Sequence, residues 1–347
     1  MKVYVLGAGS MGSLVAHYMS LAHPELSMVL LMKTQARLDN FVRHNSEISV
    51  VKKDGIVRAQ LAAGGMPPMR KDGNPAHIEN LIVATKTHAT ETALEPYLKN
   101  ISSSTNLLLL QNGMGMPEYL TRKFWPSGNR PQIFQAISTH GAYKSSQNVV
   151  QHTVNGSLVI AEQPEITQHT TTTIPLNPLV DAIVSTPELN ASHVNYSDFL
   201  LAQIDKLIAN ACINPLLAIY DCFNGDLLLS THLLPILKQI VNEARAVFLA
   251  EYKVLNENPQ AAASLDTERM LAHVVRMFEL TAANSSSMRE DIRNLNTTEI
   301  DWINGFLVRV GKQHGINTPA NLMLVNMVKS KLAIERGLDQ RAASLVA

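Results

Sequence analysis

The hydrophobic pattern changes period once along the chain, and that change constrains the fold more than any other feature. From Met1 to about Ile160, short β-branched runs alternate with helical stretches: "KVYVLG", "SLVAHYMSLAH", "LSMVLLMK", then "NLIVATK", "TNLLLLQNG" and "PQIFQAIST". Such alternation builds βαβ units and predicts a doubly wound parallel sheet covered on both faces. After about Asn195 the strand signals stop, and apolar residues recur at helical spacing through "DFLLAQIDKLIANACINPLLAIYD", "LLPILKQIVNEARAVFLAEYKVL", "LDTERMLAHVVRMFELTAAN", "TEIDWINGFLVRVGKQHG" and "PANLMLVNMVKSKLAIERG". The fold class is therefore α/β, with a doubly wound domain over residues 1–194 and an all-α domain over 195–347. The Thr- and Pro-rich stretch from Glu162 to Pro178 reads as an exposed excursion near the end of the first domain.

A chain of 347 residues with 46% hydrophobic side chains has enough apolar mass for two cores. Lys plus Arg and Asp plus Glu both number 29, so no net field draws the chain to nucleic acid or an anionic membrane, and no basic run does so locally. The apolar run at the N-terminus is interrupted by Gly7 and is too short for a signal peptide, and no segment approaches the ~20 residues of a membrane span. The expected location is cytoplasmic. Cys212 and Cys222 read as core thiols in a reducing compartment. The histidines form neither H-E-x-x-H nor a pairing with the cysteines, so no metal is expected, and there is no G-x-S-x-G nucleophile.

"GAGSMG" runs from Gly7 to Gly12, follows a strand and opens an apolar helix, the context that turns G-x-G-x-x-G into a dinucleotide fingerprint. Gly7 permits the tight turn, Ala8, Ser10 and Met11 fill the loop, Gly9 admits the pyrophosphate and Gly12 allows close helix packing. The first domain is thus Rossmann-type. At the end of the second strand, "LLMKTQAR" offers Lys33 and Arg37, with no carboxylate before Asp39 to hold the ribose of NAD. The predicted cofactor is NADP(H).

In "KLIANACINP", Lys206, Asn210 and Asn214 recur at i, i+4 and i+8 on one face of an otherwise apolar helix. A solvent edge would give the same row. Against that, the other positions are nearly all apolar or small, and Pro215 frees the carbonyl of Ala211. Polar groups on a buried helix need partners, and a small polar substrate would be one.

"GAGSMG", "LLLLQNGMG", "KLIANACINPLLAIYDCFNG" and "SSSMREDIRNLNTTEIDWINGF" together resemble the successive motifs of the ketopantoate reductase (2-dehydropantoate 2-reductase) family, over essentially the whole chain. The resemblance implies reduction of 2-dehydropantoate to (R)-pantoate with NADPH, in pantothenate and coenzyme A biosynthesis, at a cleft between a Rossmann domain and a helical domain. It implies Lys206 as general acid and Glu299 as the acid that orients the substrate hydroxyl, although Asn296 and Glu299 also have the spacing of an N-cap and its N3 acid. It places Asn210, Asn214, Asn284 and Ser287 on the substrate, Asn112 between substrate and nicotinamide, and Lys86 near the cofactor phosphate. Ala89 stands where relatives often carry glutamine. His140 is assigned no role. The alternatives are a D-2-hydroxyacid dehydrogenase acting on another branched or aromatic 2-keto acid, and a non-catalytic NADP-binding sensor. The partner implied is a small 2-keto acid, and the composition allows a monomer or a homodimer.

Overall fold

The structure, a computed structural model, describes residues 1–164 and 177–346, so most of the Thr-rich excursion lies outside the described residues. The chain forms two compact units: Met1–Gln111 with Met116–Phe199, and Asn112–Gly115 with Leu200–Ala347.

The first unit carries the strands β1 (Lys2–Leu6), β2 (Ser27–Leu31), β3 (Glu47–Lys52), β4 (Gly55–Gln60), β5 (Ala62–Gly64), β6 (Asn80–Val83), β7 (Asn106–Leu110), β8 (Gln132–Ser138), β9 (Gly141–Ser146), β10 (Val149–Val154), β11 (Leu158–Glu162) and β12 (Ala191–His193). Its helices are α1 (Ser10–Ala22), α2 (Gln35–Arg43), α3 (Thr90–Leu94), α4 (Met116–Phe124) and α5 (Pro178–Val184). Eight strands form one sheet in the order β12-β11-β8-β7-β6-β1-β2-β5. Strands β1, β6 and β7 are buried along nearly their whole length, as apolar runs sandwiched between helical layers should be. β1 pairs in parallel with both β2 and β6, and the chain order reverses between β1 and β6, the topological switch point where a doubly wound sheet opens a crevice.

Two features of this unit depart from the sequence reading. The sheet is not wholly parallel, because β11 pairs antiparallel to β8 and carries β12 with it. A second sheet, β4-β3-β10-β9, is also present. Its β3–β4 hairpin is local, but β10 pairs with β3 across about a hundred residues, and no periodicity in either segment announces that partner.

The helices of the second unit are α6 (Tyr196–Tyr220, whose first turn is counted with the first unit), α7 (Leu233–Glu251), α8 (Ala261–Ser264), α9 (Thr267–Leu280), α10 (Ser287–Arg293), α11 (Asn304–Gln313) and α12 (Pro319–Val346). α12 runs past Gly337, where the periodicity suggested an end, because the good helix formers that follow outweigh the ~1 kcal/mol cost of one glycine. Among the described residues no helix is long and apolar enough to cross a membrane.

The stretch predicted as one helix from Thr298 is instead a 3₁₀ turn, Ile300–Trp302, a break at Ile303 and then α11. The break leaves the Trp302 carbonyl free to accept from Met114 N at 3.0 Å. Gly113 makes this approach possible: a Cβ there would lie 2.4 Å from the Trp302 oxygen. A buried network then fixes the start of α11. Asn304 Nδ2 donates to the Ala211 carbonyl and to Asn321 Oδ1, both at 3.0 Å, and Asn321 Nδ2 donates to Glu243 Oε2 at 2.7 Å. The carbonyl released by Pro215 is therefore satisfied from another helix, at a site where an unmet buried acceptor would cost about 1–3 kcal/mol.

Candidate active site

The glycine loop sits at the carboxyl end of β1, beside the end of β6. Gly7 has φ +109° and lies so close to Ala84 that a Cβ would meet its carbonyl carbon at 2.6 Å, while a Cβ on Gly12 would lie 2.1 Å from the Gly7 oxygen. Gly9 is exposed, with only the Ala84 oxygen within 4.0 Å of a notional Cβ, so its outer side is open to a ligand. α1 begins here with no side-chain cap and no acidic residue in its first turn. Its free N–H groups and positive dipole end fit the pyrophosphate of a dinucleotide.

Lys33 and Arg37 are both exposed beyond the end of β2, with Thr34 capping α2 by accepting from Arg37 N at 3.3 Å. Lys86 is exposed at the end of β6, where its carbonyl accepts from Ala89 N at 2.8 Å. Gln111, at the end of β7, donates to the Thr85 carbonyl at 2.8 Å and so braces the neighbouring strand end. Lys144, which the sequence reading missed, reaches from β9 to donate to the Ala8 carbonyl at 2.8 Å. Nothing in its segment marks it, because the contact depends on where the second sheet packs.

His140 has a structural place. Gly156 N donates to its Nδ1, so its Nε2 carries the proton given to the Leu189 carbonyl at 2.9 Å. His152 then donates from Nε2 to His140 and accepts the Tyr18 hydroxyl on Nδ1 at 2.8 Å. This hydrogen-bonded chain ties α1 to the second sheet.

In the second unit, Lys206, Asn210 and Asn214 share one face of α6, while Leu207, Ile208, Ala209, Ala211, Cys212 and Ile213 are buried around them. Lys206 is itself partly buried, and desolvation pushes its ammonium down to about 8, against the opposing pull of the Glu299 carboxylate. Glu299 is only 4% exposed and accepts from Asn112 Nδ2 at 3.2 Å. It does not sit at N3 of a helix begun at Asn296; it is the residue before the 3₁₀ turn, where its side chain makes no capping bond. Within one unit the fold thus brings Glu299 into hydrogen-bond reach of Asn112 and into electrostatic reach of Lys206.

Asn284 and Ser287 are both exposed, Asn284 on the loop that enters α10 and Ser287 as the first residue of that helix. The cap of that helix is Ser286, whose Oγ accepts from Arg289 N at 3.1 Å. Arg289 is buried and donates to Asp221 Oδ1 at 2.8 Å, with its guanidinium over the Phe223 ring. Asn284 accepts from Asn224 N at 3.1 Å, so the loop is held firmly to the segment that follows α6.

The chemistry available is clear from these parts. One unit offers a glycine loop open at an uncapped helix start, and the other a partly buried ammonium within electrostatic reach of a carboxylate. Among the described residues no cluster could hold a metal ion.

Comparison with known proteins finds matches to two family models, "Ketopantoate reductase PanE/ApbA" over residues 3–165 and "Ketopantoate reductase PanE/ApbA C terminal" over residues 198–332. A probable 2-dehydropantoate 2-reductase of Schizosaccharomyces pombe is 32% identical over 343 residues, 96% of this chain and 97% of that protein. The cytochrome B translational activator CBS2 of Saccharomyces cerevisiae is 28% identical over 380 residues, 97% of each. Among solved structures, a probable 2-dehydropantoate 2-reductase from Bacillus subtilis superposes with a TM-score of 0.72 at 26% identity, covering 95% of this chain and all of that one (100%).

Proposed function

Since the chain belongs to the ketopantoate reductase family, we propose that it reduces 2-dehydropantoate to (R)-pantoate with NADPH, in the cytoplasm, as a step toward pantothenate and coenzyme A. The observation that carries this reading is the ammonium of Lys206, pushed down to about 8 beside Glu299. A bound nicotinamide supplies a hydride to the ketone carbon. As negative charge grows on the carbonyl oxygen, Lys206 stabilises it and gives up a proton, so that ketone, hydride and proton balance to the alcohol. An acid titrating near 8 is still charged at neutral pH yet donates more readily than an ordinary lysine.

Glu299 opposes further loss of the Lys206 proton and offers a buried acceptor to the substrate hydroxyl. Asn112, Asn210 and Asn214 supply amide donors beside it, and Asn284 and Ser287 offer donors near a helix N-terminus for the substrate carboxylate. Residues 7–12 hold the pyrophosphate, Lys33 and Arg37 the 2′-phosphate, Lys86 the phosphate edge and Asn112 the nicotinamide side.

Initial rates of nicotinamide oxidation test this. The highest specificity constant should belong to NADPH with 2-dehydropantoate, and the rate should fall about tenfold per pH unit above pH ~8 as Lys206 loses its proton. A higher value with another 2-keto acid would move the chain to the D-2-hydroxyacid dehydrogenases. The similarity to a translational activator favours one second reading, a non-catalytic NADP-binding sensor. Binding of NADPH with no turnover of any ketone would establish it, but a sensor has no use for Lys206, Glu299 and the three asparagines together.

A further inference from the structure

Lys144 belongs to β9 of the small sheet, and its ammonium gives two of its three N–H donors to carbonyls, that of Ala8 in the glycine loop at 2.8 Å and that of Gln147. Gln147 in turn donates through Nε2 to the Arg37 carbonyl at 3.5 Å, tying this turn to α2. Burial, and then repulsion from Arg37, hold the Lys144 ammonium down to about 8. Asp39, the acid of α2, is engaged by Gln35 at 2.7 Å. Lys144 thus lies within electrostatic reach of Arg37, and the repulsion between two such cations is relieved when an anion joins them. The loop residue Lys144 touches immediately precedes Gly9, and the end of β2 is where the ribose is read in this type of domain.

We propose that Lys144 is a cofactor-selectivity residue, which with Arg37 and Lys33 receives the 2′-phosphate of the dinucleotide from the opposite side of the site. This rests on the NADPH reading. A phosphate dianion offers acceptor oxygens to both cations at once and converts their repulsion into shared attraction, whereas a bare ribose hydroxyl does neither. The small sheet then contributes to recognition as well as to packing.

Equilibrium titration with 2′,5′-ADP and with ADP tests it without any turnover. In the wild-type protein 2′,5′-ADP should bind about tenfold or more tightly than ADP, the range of a single charge-assisted contact or more. Lys144→Gln should lose most of that preference while its affinity for ADP stays within about twofold, and Lys144→Arg should restore it. Equal weakening of both ligands in Lys144→Gln would make the residue a clamp on the Ala8 loop and overturn the proposal, as would an unchanged preference. A wild-type protein with no preference for 2′,5′-ADP would instead overturn the NADPH reading, and this inference with it. Thermal melting of each variant separates these outcomes from misfolding.

Discussion

The glycine loop and the lysine site differ in how far apart in sequence their parts lie. Most of what shapes the loop falls between Gly7 and Gly12, with external constraints from the neighbouring strand end at Ala84 and from Lys144 on the Ala8 carbonyl. The lysine site draws Asn112, Lys206 and Glu299 from three separate segments, with Trp302 and Gly113 in close contact at its edge. A local site works through backbone conformation, and an assembled one through burial and charge. The two should therefore fail in different ways.

The largest effect should separate them outright. Lys206→Ala should lower kcat by about 10²–10⁴-fold, the usual worth of a general acid, while the dissociation constant for NADPH, read by fluorescence titration, stays within about twofold. A comparable loss of NADPH affinity would mean that the two sites are not separable. Gly12→Ala is the converse. Its methyl group would lie 2.1 Å from the Gly7 oxygen, against backbone that cannot step aside, so the loop must shift and NADPH affinity should fall by about tenfold or more, measured in the same titration. Helical content by circular dichroism should change little.

Glu299→Gln sharpens the electrostatic side of the comparison. The carboxylate raises the Lys206 pKa against the effect of burial, so neutralising it should move the alkaline limb of the kcat profile below pH ~8, with a loss of roughly ten- to a hundredfold in kcat/KM. A limb that stays in place would detach Glu299 from Lys206. Smallest should be Asn304→Ala, which leaves the Ala211 carbonyl without its donor and should cost about 1–3 kcal/mol in urea denaturation. Replacing Pro215 with alanine restores the helix's own N–H for that carbonyl, so the cost of removing Asn304 should shrink in the Pro215→Ala background. Equal costs in both backgrounds would show that Asn304 acts elsewhere.

Much of this molecule is legible in its residues because the signals are local. Period-2 and period-3.6 patterns need only their own segment, which is why β1, β2, β6, β7 and the helices α6, α7, α9 and α12 are foreseen. The free carbonyl created by Pro215 could also be foreseen, but its donor could not, since Asn304 lies about 90 residues away and "DWINGF" reads equally well as an unbroken helix. The second sheet, the antiparallel turn to β11 and the reach of Lys144 depend on long-range pairing that neither partner encodes alone.

By itself the sequence determined the architecture, a doubly wound domain followed by helices, and the position and backbone conformation of the glycine loop, because hydrophobic period and glycine stereochemistry act over a few residues. Only the tertiary structure decided that Lys206 is partly desolvated within reach of the Glu299 charge, and that Lys144 donates to the Ala8 carbonyl within electrostatic reach of Arg37. Burial and Coulomb interactions are properties of distance in space, and the spacing of residues along the chain carries no record of them.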